Sequence, residues 1–219
     1  MKVGTDGVLL GAWASLSKNP ATILDIGAGT GLIALMLAQR STAETIDALE
    51  IEEAAYEQCV ENFESSDWGN RLFCYHAGLD EFTEELEELY DLVISNPPFY
   101  SEDVSSGKSS RDNARRNLSL PFESLLGGVS SLLTANGVFS TIIPFKEEER
   151  FLAIASRSKL YPIRITRVRG NPNSEIKRSL LEFAFAPTKV KTDELTIELG
   201  RHKYTPEYIS LTSDFYLKM

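Results

Sequence analysis

From Thr22 to Ala38 the chain reads as a short β-branched run, an acid, three glycines at alternate positions and an apolar stretch of helical period. Thr22–Ile26 is a strand candidate, Asp25-Ile26-Gly27-Ala28-Gly29-Thr30-Gly31 closes it, and Leu32–Ala38 predicts a helix packed on a sheet. Glycines at such a junction let the backbone turn tightly and let a ligand approach with no Cβ in the way. A strand, a glycine loop and a helix in that order open a βαβ unit, whose crossover is right-handed and whose strands are parallel.

The rest of the chain continues that alternation. Thr45–Glu50 predicts a second strand and Glu52–Glu64 a helix, with Ala55, Cys59 and Phe63 on one face. Arg71–Tyr75 predicts a third strand, Glu81–Glu88 a short acidic helix or loop, and Asp91–Ser95 a fourth strand. Pro121 suits the first turn of a helix running to Leu133. Asn136-Gly137 turns the chain into a fifth strand, Val138–Ile143, and Glu147–Lys159 predicts another helix. The pattern then changes: Ile163–Val168 and Leu180–Phe185 are joined by Gly170-Asn171-Pro172-Asn173-Ser174, which is hairpin chemistry. The expected fold is α/β, a mostly parallel doubly wound sheet with one antiparallel strand at its end. With no internal repeat or linker, residues 1–219 read as a single domain. Residues 100–117, polar and without apolar period, read as a mobile loop beside the substrate, and the aromatic tail 203–219 as docked on the domain.

Composition narrows the function. No apolar run approaches the roughly 18 residues of a membrane span. Cys59 and Cys74 lack metal-ligand spacing and read as small buried hydrophobes, which makes the cytoplasm the default location. His76 and His202 are too few for a metal cluster or a nucleophilic triad. The net charge of −10 argues against a generic polyanion binder, yet the charge is uneven. Glu44 to Asp91 holds sixteen acidic residues and one basic; Val104 to Ala186 holds thirteen basic and seven acidic. The acidic half suits a solvated face, and the later half either an ordinary basic surface or one that meets a phosphate-bearing partner.

Two loops carry the chemistry. Gly27–Gly31 has Leu32 where a dinucleotide fingerprint wants its third glycine, and no lysine follows in P-loop fashion. Glu50, at the end of the second strand, is placed to accept both hydroxyls of a ribose. A nucleoside cofactor without a pyrophosphate fits that pair. The second loop, Asn96-Pro97-Pro98-Phe99, follows the fourth strand. It offers acceptors and a flat apolar face with few donors, because proline has no N–H. Read alone, two prolines after a strand are also a plain turn. Beside a cofactor loop, the Asn96 side-chain oxygen and the Pro97 carbonyl suit the two N–H bonds of an aromatic amine, with Phe99 stacked on the ring and Tyr100 flanking it.

In Asp25–Gly31 and Asn96–Phe99 the chain resembles the class I S-adenosylmethionine-dependent methyltransferases that act on amino nitrogens. With Met1–Trp13 and Tyr204…Leu211-Thr212-Ser213-Asp214-Phe215-Tyr216, it resembles the bacterial tRNA1(Val) (adenine-N6) methyltransferase family. The resemblance implies a seven-stranded sheet of order 3-2-1-4-5-7-6 with strand 7 antiparallel, S-adenosylmethionine as cofactor, and tRNA as substrate. It implies that Thr5 and Asp6 close the cofactor site, that Asp25, Gly27, Gly29, Gly31 and Gly78 line it, and that Glu50 holds the ribose. Asn96 and Pro97 are then the catalytic pair and Pro98, Phe99 and Tyr100 the base-binding residues. Two departures stand out. The family carries residues before the Met1–Asp6 segment, and Ala77-Gly78-Leu79-Asp80 lacks an acid at the position that commonly contacts the cofactor's adenine.

Lys108, Arg111, Arg115 and Arg116, with Arg164, Arg167, Arg169, Lys177 and Arg178 on the hairpin, are the expected phosphate contacts. The expected partner is tRNA, with no metal and no membrane, and the chain acts as a monomer. Three other readings compete: a glutamine-amide methyltransferase acting on a protein, a guanine-N2 rRNA methyltransferase, and a non-catalytic RNA-binding module, which would keep Gly27–Gly31 but need not keep Asn96.

Overall fold

A computed structural model describes residues 4–85, 88–98 and 120–217. Strands β1 (Thr22–Ile26), β2 (Thr45–Leu49), β3 (Leu72–Tyr75), β4 (Tyr90–Ser95) and β5 (Leu133–Pro144) are parallel. β7 (Ile176–Ala184) runs antiparallel between β5 and β6 (Tyr161–Arg169). The order is β3-β2-β1-β4-β5-β7-β6-β8. The expected 3-2-1-4-5-7-6 order is therefore present with an eighth strand, β8 (Lys191–Thr196), added parallel to β6 at the edge.

Successive strand residues face opposite layers. Ile23, Leu92 and Ile94 pack under α1 (Thr5–Trp13), α2 (Leu32–Arg40) and α3 (Glu53–Glu64). Leu24, Ile26 and Val93 pack under α4 (Leu79–Glu85), α5 (Phe122–Leu132) and α6 (Glu148–Arg157). The sheet interior is thus apolar on both faces, as a doubly wound sheet requires. Among the described residues no helix is long and apolar enough to cross a membrane. Cys59 is buried and Cys74 is half-buried, so the second cysteine is less enclosed than expected.

Besides β8, a helix before β1 and a hairpin and helix after β8 went unassigned in the sequence. Helix α1 lies against α2, and a Cβ on Gly11 would sit 2.7 Å from the Met36 sulfur, so glycine permits the close approach. Beyond β8 the chain forms a two-stranded hairpin, β9 (Glu198–Gly200) with β10 (Lys203–Tyr204). Helix α7 (Pro206–Thr212) follows, with Thr205 accepting from the Tyr208 N–H at 3.2 Å and Pro206 in its first turn. Tyr208 is buried in the layer that holds α1.

Candidate active site

Ligands of open α/β sheets bind beyond the carboxyl ends of the strands, where crossovers diverge to opposite faces. In the β1–β4 register Ile26 faces Ser95, so the glycine loop and the Asn96-Pro97 loop leave the sheet side by side, about 4.8 Å apart at their roots. The Ser95 hydroxyl donates to the Ile26 carbonyl at 2.8 Å and fixes that alignment. Asn96 is half-buried, Pro97 buried and Pro98 exposed. The first turn of α1 covers the pair: a Cβ on Gly7 would sit 4.0 Å from the Asn96 side-chain nitrogen.

The glycine loop holds Gly27, Gly29 and Gly31 at φ of 72°, 59° and 81°, the left-handed region that side chains disfavour. A Cβ on Gly27 would meet nothing within 4 Å, so that backbone faces open space. A Cβ on Gly31 would stand 2.5 Å from Phe63 and 2.8 Å from the Cys59 sulfur. Gly31→Ala therefore adds left-handed strain to overpacking and is expected to destabilise by roughly 2–4 kcal/mol, read as a lower midpoint in thermal denaturation.

Glu50 braces this loop. One carboxylate oxygen accepts from the Gly29 N–H at 2.7 Å and the other from the Glu52 N–H at 2.8 Å. Each oxygen keeps a lone pair for a further donor. A Cβ on Gly78 would sit 3.9 Å from Ile51 Cδ1, and the Gly78 carbonyl accepts the Phe82 N–H at 3.0 Å in the first turn of α4. The Asp80 side chain is exposed.

Asp25 lies under the glycine loop, on the face that packs α1 and α2. Its side chain is fully buried, and neither carboxylate oxygen has a hydrogen-bond partner. Burial pushes its carboxyl up to about 7; the Ala34 amide opposes this, and the Glu50 charge adds to it. The sign follows. The folded state keeps this proton over a range where the unfolded chain, titrating near 3.8, has lost it. Stability therefore falls as pH rises from about 4 to 7 and is level above that. Asp25→Asn is expected to remove this slope, so the variant's melting advantage grows across that window.

The substrate-side residues divide. Phe99, Tyr100, Lys108, Arg111, Arg115, Arg116 and almost all of the expected loop 100–117 lie outside the described residues. The hairpin cations are described, and each has an acidic partner. Arg164 pairs with Glu182, Arg167 with Glu148, Arg169 with Glu194, Lys177 with Glu175 and Arg178 with Asp6. The expected free basic stripe is thus largely neutralised from within. Asp6, expected at the cofactor, lies 2.8 Å from Arg178 of the hairpin. Sequence reasoning missed these pairs because the partners of Arg164, Arg167, Arg169 and Arg178 come from remote segments.

Comparison with known proteins places this geometry. The model of the methyltransferase small domain matches residues 8–115. A protein of Flavobacterium johnsoniae named tRNA1(Val) (adenine(37)-N6)-methyltransferase is 63% identical over all of this chain and 94% of its own length. The chain belongs to that methyltransferase family. A Bacteroides fragilis protein of the same name is 46% identical over the whole chain and 92% of its own. Among solved structures, an Agrobacterium tumefaciens protein described as a predicted O-methyltransferase superposes with a TM-score of 0.73 at 21% identity, covering 95% of this chain and 96% of that one. The N-methyltransferase NodS of Bradyrhizobium japonicum gives 0.56 at 14% identity over 82% and 93%. At these identities the solved structures speak for the fold alone.

Membership of the family makes S-adenosylmethionine the methyl donor. The site fits it. Gly27 leaves its backbone face open, and Glu50 retains acceptor capacity at the groove. Asp25 is a buried acid whose two oxygens have no hydrogen-bond partner.

Proposed function

We infer that this chain transfers a methyl group from S-adenosylmethionine to the exocyclic N6 of an adenine in a tRNA anticodon loop, the one just 3′ of the anticodon of tRNA1(Val). The observation that carries this is the juxtaposition of the Asn96-Pro97 loop with the glycine loop, in a chain whose full-length relatives bear that name. The rival targets, a protein glutamine or an rRNA guanine, have no comparable support.

When bound, the cofactor supplies a methyl carbon already activated by a positively charged sulfur, so the new C–N bond forms as the C–S bond breaks and the sulfur keeps the electron pair. The protein's task is alignment and a competent nitrogen. An adenine amine is a poor nucleophile because its lone pair is delocalised into the ring. The Asn96 side-chain oxygen and the Pro97 carbonyl accept its two N–H bonds, favour rehybridisation and stabilise the positive charge that develops. Pro97 is buried at the end of β4. The extra proton on the product nitrogen is acidic and departs to water after transfer. Glu50 holds the ribose by its remaining lone pairs, Thr5 closes the cofactor site, and Pro98, Phe99 and Tyr100 complete the substrate side.

An adenine in the anticodon loop is single-stranded, so presenting it costs little. Incubation with total unmodified tRNA and labelled cofactor, followed by nucleoside analysis, is expected to yield N6-methyladenosine. Label recovered in protein, or in methylated guanosine, would overturn the assignment.

A further inference from the structure

At the same end of the sheet, beyond β6 and β8, lies a cleft of about 260 Å³ that shares no residue with the glycine loop, Glu50 or Asn96. It is lined by Thr5, Gly170, Ile197, Tyr204, Tyr208 and Tyr216, with Glu198 at its edge. Tyr208 is its floor: the residue is 3% exposed, and its hydroxyl lies 3.4 Å from that of Tyr216. Tyr204 leans on Tyr208 with ring centroids 5.3 Å apart. Tyr204 and Tyr216 are half-buried, so each keeps part of its surface accessible. The volume is slightly below the roughly 300 Å³ at which drug-sized pockets begin, enough for one planar ring system and too small for a helix.

Two further observations say what the ring is attached to. The β9–β10 hairpin carries Arg201, His202 and Lys203 at its tip, all exposed and without an ion pair among the described residues. That contrasts with the neighbouring β6–β7 cations, each matched to a carboxylate. The cleft is also tied to the reaction centre through three consecutive residues. Thr5 lines the cleft, Asp6 holds Arg178, and Gly7 abuts the Asn96 amide. Two residues span at most about 7 Å between Cα atoms, which puts the cleft on the order of 10 Å from Asn96, one to three nucleotides along a strand.

We propose that this tyrosine cleft is a second nucleotide subsite, which takes a base of the RNA strand near the target adenine while Arg201 and Lys203 meet its phosphates. Aromatic faces with flanking cations are the general means of holding single-stranded RNA, since every base has a π-face. The Glu198 carboxylate offers an acceptor to an amino or imino edge; it already accepts the His202 N–H at 3.3 Å. The subsite rests on the tRNA reading above. It gives the enzyme a hold on the anticodon loop beyond the extruded base.

The test uses the full chain and an unmodified anticodon stem-loop of tRNA1(Val) in which nucleotides near the adenine are replaced one at a time by 4-thiouridine. Irradiation is expected to cross-link one position to the peptide containing Tyr204 to Tyr216. Tyr204→Leu with Tyr216→Leu is expected to raise KM for the stem-loop about tenfold, in the range of one lost stacking contact. The dissociation constant for S-adenosylmethionine and kcat at saturating RNA stay within threefold, and Tyr204→Phe with Tyr216→Phe restores KM. Arg201→Ala with Lys203→Ala is expected to flatten the logarithmic salt dependence of RNA binding by about 1.4, at roughly 0.7 per phosphate on a single strand. Cross-links confined to other peptides, an unchanged KM, or equal loss of cofactor and RNA binding overturn the subsite while leaving the methyltransferase assignment intact. If the unsubstituted chain transfers no methyl to any tRNA, that assignment fails and the subsite falls with it.

Discussion

Asn96→Ala is expected to lower kcat for methyl transfer by about 10²–10³-fold, the range seen when one preorganised polar group is removed from a charge-stabilising site. The dissociation constant for S-adenosylmethionine, measured by calorimetry, is expected to stay within threefold. The separation follows from the geometry. The side chain is half-buried at the end of β4, covered by the first turn of α1, while the glycine loop and Glu50 hold each other through the Gly29 N–H. Removing the amide deletes an acceptor that matters most as positive charge builds on the nitrogen, and it leaves the brace of the cofactor loop in place. Asn96→Asp is a useful companion, because it keeps an acceptor at the same position and is expected to lose less than alanine does. Parallel loss of cofactor affinity and rate in Asn96→Ala would remove this residue from the chemical step and make it part of the cofactor wall.

Much of this arrangement is legible before any coordinates, and the reason is local. Ile23, Ile46 and the Asp91–Ser95 run sit in short β-branched or apolar stretches bounded by loop residues, and each falls in the strand expected of it. The two loops proposed to carry the chemistry begin where those strands end, so their adjacency follows once β1 and β4 are neighbours. What escapes is decided by distant partners. Thr5–Trp13 carries two glycines, which weakens its helical pattern; Gly11 is there because α2 approaches too closely for a side chain. Lys191–Thr196 is polar and largely exposed, since an edge strand buries little, so β8 has no alternating apolar signature. The hairpin arginines look like a phosphate stripe until the fold brings Glu148, Glu182, Glu194 and Asp6 against them. The charge that remains unmatched beside the cleft, at Arg201 to Lys203, is less conspicuous in the sequence because it is short and surrounded by acids.

Arg164→Ala is expected to cost about 3–5 kcal/mol, because it strands a buried carboxylate. Glu182 is nearly inaccessible, its side chain 3% exposed, and Arg164 meets both of its oxygens at 2.9 and 3.0 Å. The same guanidinium donates to the Trp13 carbonyl at 2.6 Å and lies 3.6 Å from the centre of the Trp13 ring. Glu182 in turn accepts the Ser15 N–H at 2.8 Å, and the Trp13 indole donates to Thr166 at 2.9 Å. The carboxyl end of α1 is thereby fixed to β6 and β7, while its amino end stands over Asn96. For a chain of this size the loss corresponds to a melting point lower by roughly 6–20 °C. Arg164→Met with Glu182→Leu removes both charges together and is expected to recover most of that stability, since neither ion is then left unpaired. The double variant still lacks the Trp13 and Ser15 contacts, so α1 is held less firmly over the reaction centre. Its kcat, taken well below its melting point, is expected to fall about tenfold, the scale on which small misplacements of a positioned group act. A double variant that regains neither stability nor a native-like melting transition would show that the pair is not what braces α1. One that regains stability with full kcat would show that the brace is unconnected to catalysis.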